Sequence, residues 1–310
     1  MSKVPIIAAV AIAAALVVGG LYAAGRFLGI SNPVADALGA DRTIYVVTSR
    51  VVVKSDQTYE YEYDEHGNMT SMSFDGGSYA YELSYEHDEY GNVTAVTSDG
   101  TTTAAELDLD SKGRTVESEQ QTFEYYESGH VKSVTFDNGS YTQLYSENGF
   151  YLGYSTSSNE VHYDVTTDDD GYIETLTVPV YDTTLTLRAE YNDDRTSADL
   201  MVVSQTMDGI TIDAEDGVVV DEDADVSAST ISENEDELAA HEDTMFSTPI
   251  MRLELDEYGN VLKVYANQGD WTSGEEDMTL VLKQEFMEVT DPSVMAEAMN
   301  TVDWYAAIFN

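Results

Sequence analysis

A self-match inside the chain limits its fold more than any other feature. Residues 62–79 (EYDEHGNMTSMSFDGGSY) align without a gap on residues 124–141 (EYYESGHVKSVTFDNGSY) at an offset of 62, with 10 of 18 positions identical. A repeat this clear means tandem copies of one small unit, each burying its apolar face against the next. A shorter unit lies inside it: alternating aromatic and acidic residues, then Asp-x-x-Gly-Asn, then an aliphatic residue. Full copies place Asp64, Gly67 and Asn68, then Asp88, Gly91 and Asn92, then Asp256, Gly259 and Asn260. Weaker copies centre on Gly113, Gly129, Gly149 and Gly171. From Gly67 to Gly171 the steps are 24, 22, 16, 20 and 22 residues, room for two strands and two turns per unit.

The residue types suit a hairpin. Asp at the first position of a type I turn accepts backbone N–H groups, and Gly three residues on supplies the positive φ that closes a bulged loop. Between turns the period is two. Tyr59, Tyr61 and Tyr63 share one face with Glu60 and Glu62 opposite. Tyr79, Tyr81, Leu83 and Tyr85 repeat this against Glu82, Ser84 and Glu86. Alternation of this kind predicts antiparallel sheet with one covered face and one acidic, solvated face.

The Y-D-x-x-G-N unit resembles the YD repeat of the RHS family of bacterial surface and secreted proteins, over roughly residues 59–192 and 253–265. The resemblance implies β-hairpins in a long curling sheet and a cell-envelope location. Large members of that family form a shell around a C-terminal toxin. This chain is too short for a closed shell and its last residues do not read as a toxin domain, so only the fold unit and the location carry over.

The expected class is therefore all-β: tandem antiparallel hairpins in a long twisted, curled sheet, with an N-terminal transmembrane helix and a C-terminal amphipathic helix. Val4 to Ala24 is apolar but for glycine, proline and one tyrosine, long enough to cross a bilayer core. Residues 1–28 read as a signal anchor and 29–42 as a stalk. Ala23-Ala24-Gly25 leaves open a cleaved signal peptide and a secreted body. Residues 43–220 form the repeat region. Residues 213–243 carry 13 acids, and no Lys or Arg occurs from 196 to 251. Residues 221–249 accordingly read as an acidic mobile insertion, with a short helix near Glu235–His241. The sheet resumes over 250–289. Residues 290–310 carry a helical apolar stripe from Val294 to Phe309 behind Pro292.

Composition narrows the function classes. With 59 acids against 13 bases, the net charge of −46 repels phosphate backbones, so nucleic acid is not an expected partner. No cysteine is present, which removes disulfides and thiol chemistry. The five histidines show no metal-ligand spacing. Thr166–Thr177 resembles part of a calcium loop, with Asp168 and Asp170 at ligand places, but it lacks the first Asp and the bidentate Glu. Weak calcium association is the most this turn suggests, and no other cofactor is expected. No nucleophile, phosphate or dinucleotide motif appears.

The expected role is a membrane-anchored extracytoplasmic module without catalysis, acting in adhesion, as a scaffold or in ligand binding, with glycan or protein partners. Its contact area would be the aromatic faces of Tyr59, Tyr61, Tyr63, Tyr79, Tyr81 and Tyr85. The competing expectation is that these rings pack under the sheet itself. Two other roles stay open: an exported carbohydrate- or peptidoglycan-active enzyme, and an envelope-assembly chaperone.

Overall fold

The computed structural model describes residues 43–290, apart from 77–78, 89–91, 99, 112–113, 119–120, 128, 130, 137–138, 148–149, 181–182, 222–223 and 225. The expected transmembrane segment, the stalk and the C-terminal helix lie outside the described residues. The described residues are mostly β, with 63% in strands, and their strand pairs are antiparallel throughout. No helix among these residues is long and apolar enough to cross a membrane.

The chain divides into two bodies. In the first, chain order gives β1 (Thr43–Val52), β2 (Gln57–Tyr63), β3 (Met69–Phe74), β4 (Tyr79–His87), β5 (Val93–Ser98) and β6 (Thr101–Ala104). There follow β7 (Leu107–Leu109), β8 (Thr115–Ser118), β9 (Gln121–Tyr125), β10 (Val131–Phe136), β11 (Tyr141–Tyr145), β12 (Tyr151–Thr156) and β13 (Glu160–His162). β1 to β6 pair in sequence order, and β7 to β13 form a separate meander in the same way. The second body holds β14 (Asp164–Thr167), β15 (Ile173–Val180), β16 (Thr183–Tyr191), β17 (Ser197–Met207), β18 (Ile210–Asp213) and β19 (Gly217–Val220). It continues with helix α1 (Ala228–Met245), β20 (Met251–Leu255) and β21 (Val261–Asn267). The last strand, β22 (Met278–Thr290), returns residues 282–290 to the first body, where they pair with β1 from Val52↔Leu282 to Thr43↔Thr290.

Alternation decides what is buried. In the first body Ile44, Val46 and Val289 cluster with Tyr63 packed against them, and Phe123, Val131, Val134 and Tyr145 form a second cluster. In the second, Leu176, Val178, Leu185, Leu187, Leu200, Val202, Ile210, Ile212, Leu253 and Val264 are buried. The opposite side carries cross-strand threonine pairs, Thr166–Thr175, Thr177–Thr186 and Thr206–Thr211, with hydroxyls 2.7, 3.0 and 2.8 Å apart. Hydroxyl pairs of this kind tie neighbouring strands on a solvated face.

The acidic segment at 221–249 corrects one expectation. The helix there is not a short piece near Glu235–His241 but runs 18 residues, Ala228–Met245. The Ser227 hydroxyl caps it by accepting from Thr230 N at 3.2 Å. Ile231, Asn234, Leu238 and Met245 fall on one side at helical spacing, with Asn234 and Met245 buried, while Glu235 and Asp236 stay exposed. The helix lies against β18 and β19. A sparse inward stripe suffices for an amphipathic helix once a sheet is there to receive it.

Candidate functional site

Among the described residues one pattern of strand pairing closes the recurring turn seven times. The strand residues flanking it pair as Tyr63↔Met69, His87↔Val93, Leu109↔Thr115, Tyr125↔Val131, Tyr145↔Tyr151, Thr167↔Ile173 and Leu255↔Val261. Each pair closes a five-residue loop, and each is followed by a one-residue register shift, a bulge. Asp64 shows why the sequence folds this way. Its N–H donates to Asn68 O at 2.9 Å, and Gly67 N donates to Asp64 O at 3.1 Å. Its Oδ1 accepts from His66 N and Asn68 N, both at 2.9 Å. Gly67 takes φ 77°, where a side chain would be strained. Asp256 repeats this with Tyr258 N, Asn260 N and Gly259. In the weaker copy Ser146 accepts from Phe150 N through its hydroxyl, in place of the carboxylate.

The fifth residue of the loop turns inward, and what it does there was not legible from the motif. Asn68, Asn92 and Asn260 are 4%, 2% and 3% exposed. Each amide nitrogen donates to its own turn carboxylate. Two of them also reach the following hairpin. Asn68 Nδ2 lies 2.9 Å from His87 Nε2. Asn92 Oδ1 accepts from the Thr115 hydroxyl at 2.9 Å and from Thr115 N at 3.3 Å. Arg114 stands in the same place. It forks onto Asp110 Oδ2 at 2.6 and 2.8 Å and lies over the Tyr125 ring, 4.0 Å from its centre.

The tyrosines tie hairpins in the other direction. Tyr63 OH donates to Val47 O, Tyr85 OH to Met69 O and Tyr191 OH to Ile173 O, at 2.8, 2.9 and 3.0 Å. Each acceptor belongs to an earlier strand than its donor. Tyr61 is 5% exposed. Tyr59 is half-buried with its ring 5.0 Å from that of Phe74. Tyr79 and Tyr81 lie on β4, but their side chains, like Gly91, fall outside the described residues. Of this first group, Tyr63 and Tyr85 have their hydroxyls engaged by strand carbonyls and Tyr61 is buried, while Glu60, Glu62, Glu82 and Glu86 are the outward residues.

The calcium-like turn has a cation of its own. Asp168 makes the same loop as Asp64, accepting from Asp170 N and Tyr172 N through Oδ1. Its Oδ2 lies 2.8 Å from an Arg195 guanidinium nitrogen, and Asp170 Oδ2 lies 3.1 Å from it. The guanidinium also lies over the Tyr172 ring at 4.2 Å. A divalent ion at these two carboxylates would have to displace Arg195. Among the described residues no three carboxylates or imidazoles converge on a metal position. Burial, with the Asp168 charge adding to it, holds the Tyr191 phenol well above its ordinary pKa, against the opposing pull of Arg195. Arg195 itself sits at φ 56°, the place a glycine holds in the other turns. An arginine at that loop position was the available signal.

No family model matches this chain, and no curated protein matches it. Solved structures give distant likenesses. A Photorhabdus luminescens Tc holotoxin pore is 9% identical at TM-score 0.20 over 72% of this chain, which spans 15% of that one. A TcdB2-TccC3-Cdc42 complex is 12% identical at TM-score 0.20 over 76% of this chain and 17% of the other. A porin-like protein from Bacteroides uniformis is 10% identical at TM-score 0.24 over 79% of this chain and 96% of its own.

Proposed function

We propose that this chain is an extracytoplasmic RHS/YD-type repeat module, held at a membrane by its N-terminal apolar segment, that acts without catalysis in adhesion, as a scaffold or in ligand binding. One observation carries the reading: in the first body the motif's polar groups close their own loops and hold the early hairpins to their neighbours. Asp64 and Asp88 organise their own loops, Asn68 and Asn92 reach forward, and Tyr63 and Tyr85 reach back. A unit whose repeated residues serve cohesion is suited to present a stiff surface. The surface it presents is acidic and hydroxyl-rich, and partners that suit it are neutral glycans or basic protein faces.

The absence of cysteine makes the location directly testable. Ser157 is exposed beside β12, and Ser157→Cys would give the full chain a single thiol. A membrane-impermeant maleimide should label it in intact cells as well as in lysed ones. Labelling only after lysis would refute the extracytoplasmic location. A glycan array probed with the detergent-solubilised full chain separates the binding versions: binding supports the glycan reading, and background signal leaves the scaffold.

A further inference from the structure

The first two hairpins meet through an imidazole. His87, the last residue of β4, places Nε2 2.9 Å from Asn68 Nδ2 and 3.5 Å from Asp64 Oδ2. The surrounding bonds fix which atom donates. Asn68 Nδ2 also lies 3.2 and 3.1 Å from the two Asp64 oxygens, and a carboxylate can only accept. The amide atom facing His87 is therefore its N–H end. The ring nitrogen must accept, so it carries no proton.

A proton added to Nε2 would point one N–H donor at another. The cation would also stand beside the His66 ring, whose centre is 4.4 Å away. The groups that would welcome the charge are Asp64 and Glu65 on the facing turn and Asp88 on the same strand end. Asp64 is already accepting from His66 N, Asn68 N and Asn68 Nδ2. The Tyr85 ring, 6.4 Å off, donates its hydroxyl to Met69 O.

We propose that the Asn68–His87 contact is an acid-sensitive junction between the first two repeat hairpins, closed while the His87 ring is neutral and loosened when it takes a proton. The proposal is independent of where the chain resides.

Burial holds the His87 pKa below the ordinary imidazole value, with Asp64 the largest opposing influence and His66 reinforcing the shift. The sign follows. A folded pKa below the unfolded one means that the folded state prefers the neutral ring. The contact's contribution is full above about pH 6.5 and is lost as pH falls from there through the folded pKa. Each unit between the two values weakens local closure about tenfold. The chain contains its own control. The next junction joins Asn92 Oδ1 to Thr115 N and its hydroxyl, none of which titrates in this range.

The test is hydrogen exchange of the full chain in detergent, read by mass spectrometry and corrected for intrinsic pH dependence. Between about pH 7.5 and about pH 5, protection of 69–74 and 79–87 should be lost relative to 121–125. His87→Gln keeps an acceptor at this place without a titrating group, and should hold its protection at the lower pH. Parallel loss in both regions, or an unchanged acid response in H87Q, would overturn the proposal. If H87Q does not fold, the NMR titration of the His87 ring in the parent decides. A midpoint below that of an ordinary imidazole supports the junction, and one at or above it refutes it.

Discussion

The Asp88 loop in the first body and the Asp168 loop in the second share their flanking strand pairing and closing hydrogen bonds but are tied to their surroundings by different chemistry. Both pair residues across a five-residue loop with a bulge, and in both the Asp accepts the N–H of the fifth residue at 2.9 Å. At Asp88 the fifth residue is Asn92, buried and bonded to Thr115 through neutral groups. At Asp168 it is Tyr172, and the tie is the part-exposed Arg195 guanidinium, stacked on that ring and paired with two carboxylates. The turn is thus set by its first and fourth residues, while the fifth chooses how hairpins are joined. A neutral buried tie should be worth more, and care less about salt, than an exposed ionic one.

Asn92→Leu should have the largest effect. It leaves Asp88 and the Thr115 donors without this partner in a buried place, and should cost about 3 kcal/mol, with no salt dependence, in denaturant unfolding. Tyr85→Phe and Tyr191→Phe each remove a hydroxyl from a strand carbonyl. Each should cost about 1 kcal/mol, and equal losses would show that this tie is common to both bodies. Arg195→Ala should cost about 1 kcal/mol at low salt, given that the pair is part-exposed, and less as salt rises. Arg195→Gly should come out near neutral, because relief of the positive φ offsets the lost pair to within about 1 kcal/mol. An Arg195→Ala loss that ignored salt would contradict the ionic reading of this junction.

Acid sharpens the contrast within the first body. The Asn68–His87 tie should weaken below about pH 6.5 while Asn92–Thr115 holds, as segment-resolved exchange would show.

Much of this was legible in the sequence, for local reasons. Asp-x-x-Gly specifies a loop from within five residues, so even the copies at Gly129 and Gly149, which lack the Asp or Asn, could be located by the glycine and the flanking alternation. Alternation likewise put Tyr59, Tyr61 and Tyr63 on one face. It could not say which residues would pack against that face: Tyr63 meets Ile44 and Val46 of β1, but also Val289 of β22, at the far end of the described chain. The inward role of Asn68 and Asn92 stayed hidden for the same reason, since their partners lie a hairpin away and His87 and Thr115 carry no mark of it. The full length of the helix at Ala228–Met245 is masked in the sequence because its acids outnumber its inward residues. Arg195 reads in the sequence as one base among many acids, although its place in an Asn-Asp-Asp-Arg-Thr loop is where other copies need glycine.

A double-mutant cycle on Asn92→Ala and Thr115→Val, read by equilibrium unfolding, tests most directly whether the fifth loop residue binds neighbouring hairpins together. The two substitutions should couple by about 1–2 kcal/mol, since each removes the other's partner. Strictly additive losses would mean that the Asn92–Thr115 bond holds nothing together, and the stitched-hairpin reading would fail.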